Sequence, residues 1–243
     1  MIVLIITAVR VKSMDSHRIS GRILAENIAG PGMMRLVEQS MQAQAQKTSV
    51  TEIAVKEWKH PQAALTFDDG PDIRYTPLLL DGLKERNVRA SFFLLGEKVE
   101  QYPELVERMQ KEGHLVGNHT YHHVQLNKLN ETKAREEILK TNNLIYETTG
   151  VYPLYLRPPF GAWKKNLELC VEMLPVFWTI DTLDWKVQNT EKIVHTVQEQ
   201  IEDGAIILMH DEYDTSVEAA LQVADDLKAQ GYELVTVDQL ILP

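Results

Sequence analysis

The chain has a single cysteine, Cys170, so neither an intramolecular disulfide nor a multi-cysteine zinc site is open to it. Any metal it binds must be held by His, Asp or Glu. Its apolar opening stretch, Met1 to Val9 (MIVLIITAV), is about half as long as a membrane-spanning helix requires. Positive charge is in short supply. There are 25 Lys and Arg against 35 Asp and Glu, a net charge of −10. Such a chain lacks the basic footprint that phosphate backbones demand, and no nucleic-acid partner is expected. Internal repeats and low-complexity linkers are also missing. With 44% hydrophobic and 25% charged residues, the composition is that of a globular protein. A disordered chain, a collagen-like repeat and a coiled-coil rod are excluded.

What is present divides into two parts. Residues 1–59 read as an N-terminal extension in which no chemistry is visible. Arg10 and Lys12 follow the apolar opening, whereas a signal peptide carries its positive charge ahead of it. Three readings of that opening stand side by side: the remnant of a signal or membrane anchor, a buried strand or piece of helix, or a misassigned start. Membrane association is expected through this N-terminus only. Residues 60–243 read as one domain in which short apolar runs alternate with amphipathic segments. Strands are predicted at Ala63–Phe67, Ala90–Leu95, Leu115–Gly117, Leu154–Leu156, Val176–Ile180, Ala205–Met209 and Glu233–Val235. Helices are predicted at Tyr75–Arg86, Pro103–Lys111, Glu131–Thr149, Thr190–Glu202 and Ser216–Ala229. About seven strand–helix alternations predict an α/β fold with mostly parallel strands, either an open sheet or a (β/α) barrel.

The reactive side chains recur at one place in this pattern, just past the strands. Asp68 and Asp69 end the first, His119, His122 and His123 follow the third, and Arg157 follows the fourth. Asp181 and Asp184 follow the fifth, and His210 and Asp211 the sixth. Taken singly, each has a plain explanation: a solvated Asp-Asp-Gly-Pro turn, a surface His pair, a rigid Arg-Pro-Pro loop, a core histidine. Together they are hard to produce by chance, because the C-terminal ends of parallel strands meet on one face, where active sites are built. His119 and His123 are spaced to aim two imidazoles at one point, and Asp69 adds a carboxylate. Two nitrogens and one oxygen suit zinc or another divalent transition metal, and three protein ligands leave a position for water. Asp68 is then free to act as general base.

Five motifs in order, Thr-Phe-Asp-Asp-Gly-Pro, His-Thr-x-x-His, Arg-x-Pro-x-Gly, Asp-x-x-Asp-Trp and Leu-x-His-Asp, resemble those of the polysaccharide deacetylases, the NodB-homology carbohydrate esterases. The resemblance spans about residues 60 to 240 and implies a distorted (β/α) barrel of seven to eight parallel strands. It implies Asp68 as catalytic base, Asp69, His119 and His123 as metal ligands, and Arg157 as the ion-pair partner of Asp68. It implies His210 as general acid tuned by Asp184. The backbone N–H of Phe160, which stands where the family usually has Tyr, is implied as an oxyanion donor, and Trp185 and Leu208 as walls for the acetyl methyl. One divalent transition metal is expected, zinc first, with cobalt or nickel as alternatives. The expected reaction is removal of acetyl groups from an N-acetylated glycan, peptidoglycan N-acetylglucosamine first, outside the cytoplasm at the cell wall. Chitin oligomers and O-acetylated xylan follow as substrates. A two-His, one-carboxylate Fe(II) oxygenase and a catalytically silent carbohydrate-binding module are readings from other classes. The first has no use for His210 and Asp184; the second should have lost Asp68 or a metal ligand.

Overall fold

The computed structural model describes residues 60–163 and 173–241; residues 1–59, with the expected extension, and Cys170 lie outside them. In chain order the elements are β1 (Gln62–Asp68), α1 (Tyr75–Glu85), β2 (Ser91–Leu94), α2 (Gly96–Gln101), α3 (Pro103–Lys111), β3 (Leu115–Asn118) and α4 (Glu131–Thr149). There follow β4 (Tyr155–Leu156), β5 (Leu174–Pro175), β6 (Ile180–Asp181), α5 (Asp184–Val187), α6 (Thr190–Gln200), β7 (Ala205–His210), α7 (Asp214–Ala229), β8 (Glu233–Leu234) and α8 (Val237–Ile241). None of the described helices is long and apolar enough to cross a membrane.

The strands form one eight-stranded sheet in the order β5-β4-β3-β2-β1-β7-β6, with β8 paired to β1. Every pairing is parallel. β1 is the central strand. It pairs along its length with β7, from Ala63↔Ala205 to Asp68↔His210, and this register sets two reactive side chains next to each other.

The sheet must curl. Laid flat, seven strands span about 29 Å from edge to edge. The edge strands β5 and β6 are joined only through Val176–Thr179, which can bridge at most ~18 Å. That link crosses from one edge to the other: Val176 N–H donates to Leu156 O on β4 (2.8 Å), and Thr179 N–H to Ile206 O on β7 (2.9 Å). The run expected as one strand, Val176–Ile180, is therefore the seam of a distorted barrel. Periodicity cannot show this, because each end of the run satisfies its backbone on a different neighbour.

Alternation along the strands separates two apolar layers. Ala63, Leu65 and Phe67 of β1, with Phe92, Leu94, Ile207 and Met209, face the helices in the main core, against Leu79, Leu83, Val106, Val223 and Leu227. Full burial of each Leu or Phe contributes about 1.5–3 kcal/mol. The intervening residues point into the barrel. Ala64, Phe93, Tyr155 and Val176 meet Val237 of α8 at one end. Thr66, Asp68, Leu208 and His210 lie toward the other. Gly117 is required by this interior, since a Cβ there would stand 2.7 Å from the Phe93 ring. Both faces of β1 are buried, which is why it reads as a nearly unbroken apolar run.

A candidate metal-dependent active site

The loops past the strand ends are held in costly conformations. Seven described non-glycine residues have positive φ, and five of them lie here: Asp69 (69°), Thr120 (68°), His123 (54°), Phe160 (60°) and Leu183 (51°). Each such residue costs of order 1–3 kcal/mol and persists only where the surroundings over-determine it.

Asp69, His119 and His123 offer one ligand atom each, and these atoms lie within 4.8 Å of one another. Asp69 Oδ1 stands 3.4 Å from His119 Nε2 and 3.5 Å from His123 Nε2. It is shielded from water and has no hydrogen-bond partner among the described residues. A carboxylate oxygen stranded beside two imidazole nitrogens is placed to ligate a cation together with them. The His119 ring supports the same conclusion. Its Nδ1 lies 2.6 Å from the carbonyl of Arg157, an acceptor only, so Nδ1 carries the proton and Nε2 presents a bare lone pair. Burial pushes the pKa of His119 down to about 3, which keeps the imidazole in its neutral, ligating form. The donor set, two imidazole nitrogens and a carboxylate, fits a divalent transition metal.

The loop that carries both histidines is pinned from α4, by residues that motif reading missed. Glu137 accepts from the backbone N–H of Tyr121 (3.1 Å) and of His122 (2.9 Å), and its other oxygen lies 2.8 Å from His122 Nδ1. His122 thus turns away from the metal ligands, toward α4. Asn118 Oδ1 accepts from Thr120 N–H (2.6 Å), and Asn118 Nδ2 reaches Asn142 Oδ1 (2.6 Å) and Ile138 O (2.9 Å). A carboxylate at one position of an exposed amphipathic helix gives no signal in sequence, which is why Glu137 escaped.

Asp68 stands beside this group, 3.7 Å from His119 Nε2. Arg157 is wholly buried inside the barrel. Its Nη1 donates to Asp68 Oδ1 (2.8 Å) and to Thr66 Oγ1 (2.7 Å), and its guanidinium lies 4.3 Å from the centre of the Phe93 ring. Burial pushes the pKa of Asp68 up and the Arg157 cation opposes it; the net direction is upward. Such a carboxylate is a better proton acceptor than an exposed one. Thr66 was not foreseen, although its inward position two residues before Asp68 follows from strand alternation.

His210 faces the group from β7. Asp184 clamps it with both oxygens, accepting from the backbone N–H (2.7 Å) and lying 2.8 Å from Nδ1. Nε2 is left toward the centre, 3.9 Å from Asp69 Oδ2. Burial alone would lower its pKa. The bond and charge of Asp184, with Asp68 and Asp69 behind it, outweigh burial and push it up to about 9. Asp184 in turn is lowered, its burial overcome by His210.

The remaining expected residues form the rim. The Phe160 ring packs edge-on against His123, with centroids 4.6 Å apart, and is 67% exposed. Trp185 is half exposed on α5, next to Asp184, and Leu208 is buried two residues before His210. Asp211 was quoted from the motif without a role. It is fully buried, accepts from Thr76 Oγ1, and lies so close to Gly70 that a Cβ there would come within 2.5 Å of its Oδ1. It therefore braces the turn that follows Asp68 and Asp69.

Comparison with known proteins agrees with this geometry. Residues 56–178 match the family described as Polysaccharide deacetylase. A peptidoglycan-N-acetylglucosamine deacetylase of Bacillus cereus is 40% identical over 186 residues, covering 74% of this chain and 68% of that protein. The chain belongs to the polysaccharide deacetylase family. Another member, the peptidoglycan-N-acetylglucosamine deacetylase PgdA of Listeria monocytogenes, is 44% identical over 177 residues, 73% of this chain. The chain spans only 38% of the length of that relative. Among solved structures, the peptidoglycan deacetylase PdaC of Bacillus subtilis superposes with a TM-score of 0.74 at 42% identity, covering 75% of this chain and 91% of that one. A CE4 family pseudoenzyme from Bacillus anthracis superposes with a TM-score of 0.71 at 29% identity, covering 75% and 66%. The family thus holds the fold with and without activity, and the barrel alone does not decide function.

Proposed function

We propose that this family member is a metal-dependent deacetylase that removes acetyl groups from N-acetylated glycan, with peptidoglycan N-acetylglucosamine as substrate. One observation carries the reading. A carboxylate whose pKa is pushed up, Asp68, and an imidazole held protonated, His210, stand on neighbouring strands beside the same Asp69–His119–His123 group. An inert carbohydrate-binding module has no use for an acid and a base so placed. The names of the relatives support the substrate class.

Asp69, His119 and His123 would hold the cation, which we take to be zinc. When bound it supplies Lewis acidity and lowers the pKa of water. Asp68 takes the proton from the attacking water, held in place by Arg157. Charge that develops on the acetyl oxygen meets the Phe160 N–H, and one such donor is worth about 2.7–4 kcal/mol of barrier. The amide nitrogen leaves poorly unless protonated, and His210 Nε2 delivers that proton. Trp185 and Leu208 enclose the methyl group. Action outside the cytoplasm at the wall belongs to the same proposal, and attachment to a membrane would run through residues 1–59.

The test is acetate release by metal-reconstituted protein from peptidoglycan, chitin oligomers and acetylxylan, with mass analysis of the glycan products. Release from peptidoglycan, with free amine on N-acetylglucosamine units, is expected. Release from none of the three would overturn the proposal.

A further inference from the structure

The N-terminal ends of the barrel strands form the rim opposite the catalytic loops, and in such folds that rim ordinarily serves stability. Here it holds a cavity of about 230 Å³, set among the start of β3, the end of α4, the segment Val151–Tyr155 and α8. From Leu115 to His119 is four residues of chain, about 13 Å, so this cavity is separate from the metal group.

Three observations give the cavity a chemistry. His114 lines it and is 7% exposed. Its Nδ1 accepts from Ala90 N–H (3.0 Å), which fixes the proton on Nε2. Burial pushes the pKa of His114 down to about 4, so the ring stays a neutral donor. Next, Asp238 lines the cavity, with Oδ1 shielded from water and without a hydrogen-bond partner among the described residues, while Arg89 stands outside the lining, beside Gly113. A phosphate or carboxylate ligand would meet the Asp238 carboxylate there. Lastly, the wall includes Tyr152 and Leu154, which are 43% and 58% exposed, together with the hydroxyl-bearing ring of Tyr155. An imidazole N–H donor, a carboxylate acceptor and an exposed aromatic face match a neutral polyhydroxylated ring. Its hydroxyls both give and accept hydrogen bonds, and its C–H face packs on an aromatic ring. The volume is below that of pockets for drug-sized ligands, so it admits one unit rather than an oligomer.

We propose that this rim is a second glycan-binding site, which takes a single N-acetylhexosamine unit of a polymer, the acetamido oxygen on His114 Nε2 and the sugar face on Tyr152. Its use rests on the deacetylase reading: a chain held at two points stays on insoluble substrate longer by effective concentration alone. Two measurements test it on the full chain. In the first, imidazole ¹⁵N resonances are followed as N-acetylglucosamine trimer is added. A saturable shift of His114 Nε2 with slower exchange of its proton is expected; no shift at trimer concentrations that saturate turnover overturns the site. In the second, a doubly substituted protein, Tyr152→Ala with Leu154→Ser, avoids disturbing the buried histidine. Acetate release from insoluble peptidoglycan should fall about tenfold, while kcat/KM on the soluble trimer stays within about twofold. Equal loss on both substrates, or loss on neither, overturns the proposal. If the unaltered protein deacetylates nothing, the assigned activity fails, and the His114 shift still decides whether sugar binds here.

Discussion

The site has two sides, one built around the buried His119 and the other around the partly buried His210, and they differ in what is left unsatisfied. On the β1–β3 side, His119 gives its Nδ1 proton to a neutral carbonyl and is driven down to about 3. Beside it, Asp69 Oδ1 has no hydrogen-bond partner among the described residues. On the β6–β7 side, His210 meets a carboxylate at Nδ1 and is driven up to about 9, and both Asp184 oxygens are occupied. Burial acts in the same direction on both rings. The group at Nδ1 decides whether an imidazole becomes a neutral ligand or a charged acid. The first side is left open for a cation; the second is internally closed and holds a proton.

Four substitutions can break this contrast. The largest effect is expected from His119→Ala, which removes a ligand: metal content by mass spectrometry and turnover should both be lost. Full retention of both would mean the ligand set is wrong. Asp68→Asn should lower kcat on the order of 10³-fold with metal content unchanged, because Asp68 lies outside the ligand set. Asp184→Asn converts the second side toward the first. His210 should lose its upward shift, and kcat at neutral pH should fall about 10²-fold. For the unaltered protein the proposed role fixes the sign: an acid must be protonated to act, so activity should be lost as pH rises through the pKa of His210. A cation on Asp69 offsets part of the charge that raises this pKa, so the alkaline limb is expected between 6.5 and about 9. In Asp184→Asn that limb should move to lower pH; an unmoved limb would remove His210 from the role of acid. The smallest effect is expected from Glu137→Gln, which loosens the loop without touching a ligand: metal affinity should weaken about tenfold, read by competition with a chelator.

Much of this was legible in sequence because it depends on local order. Residues that follow an apolar strand of a parallel sheet fall on one face, so Asp68, Asp69, His119, His123, Arg157, Asp184 and His210 could be grouped without coordinates. Helix α4 was legible in both limits, capped by Asn130, whose side chain accepts from Lys133 N–H, and ended by Gly150 at φ 73°. What stayed hidden depends on which strangers in sequence become neighbours. Val176–Ile180 has the apolar texture of a strand, and only the closing of the sheet splits it between two edges. The short helices α2, α5 and α8 have too few turns to show a period. Glu137 and Thr66 act through partners 15 and 91 residues away, and spacing along a chain carries no sign of such pairs.

On the β1–β3 side, Arg157 holds two of the proposed site residues through different parts of one residue. Its guanidinium holds Asp68, the proposed base, and its backbone carbonyl sets the tautomer of His119. Substitution can remove only the first, since every amino acid brings a carbonyl. A mutational scan at this position would therefore record a residue needed for proton transfer and dispensable for metal. Half of its contribution is heritable as the path of the backbone rather than as the identity of a side chain.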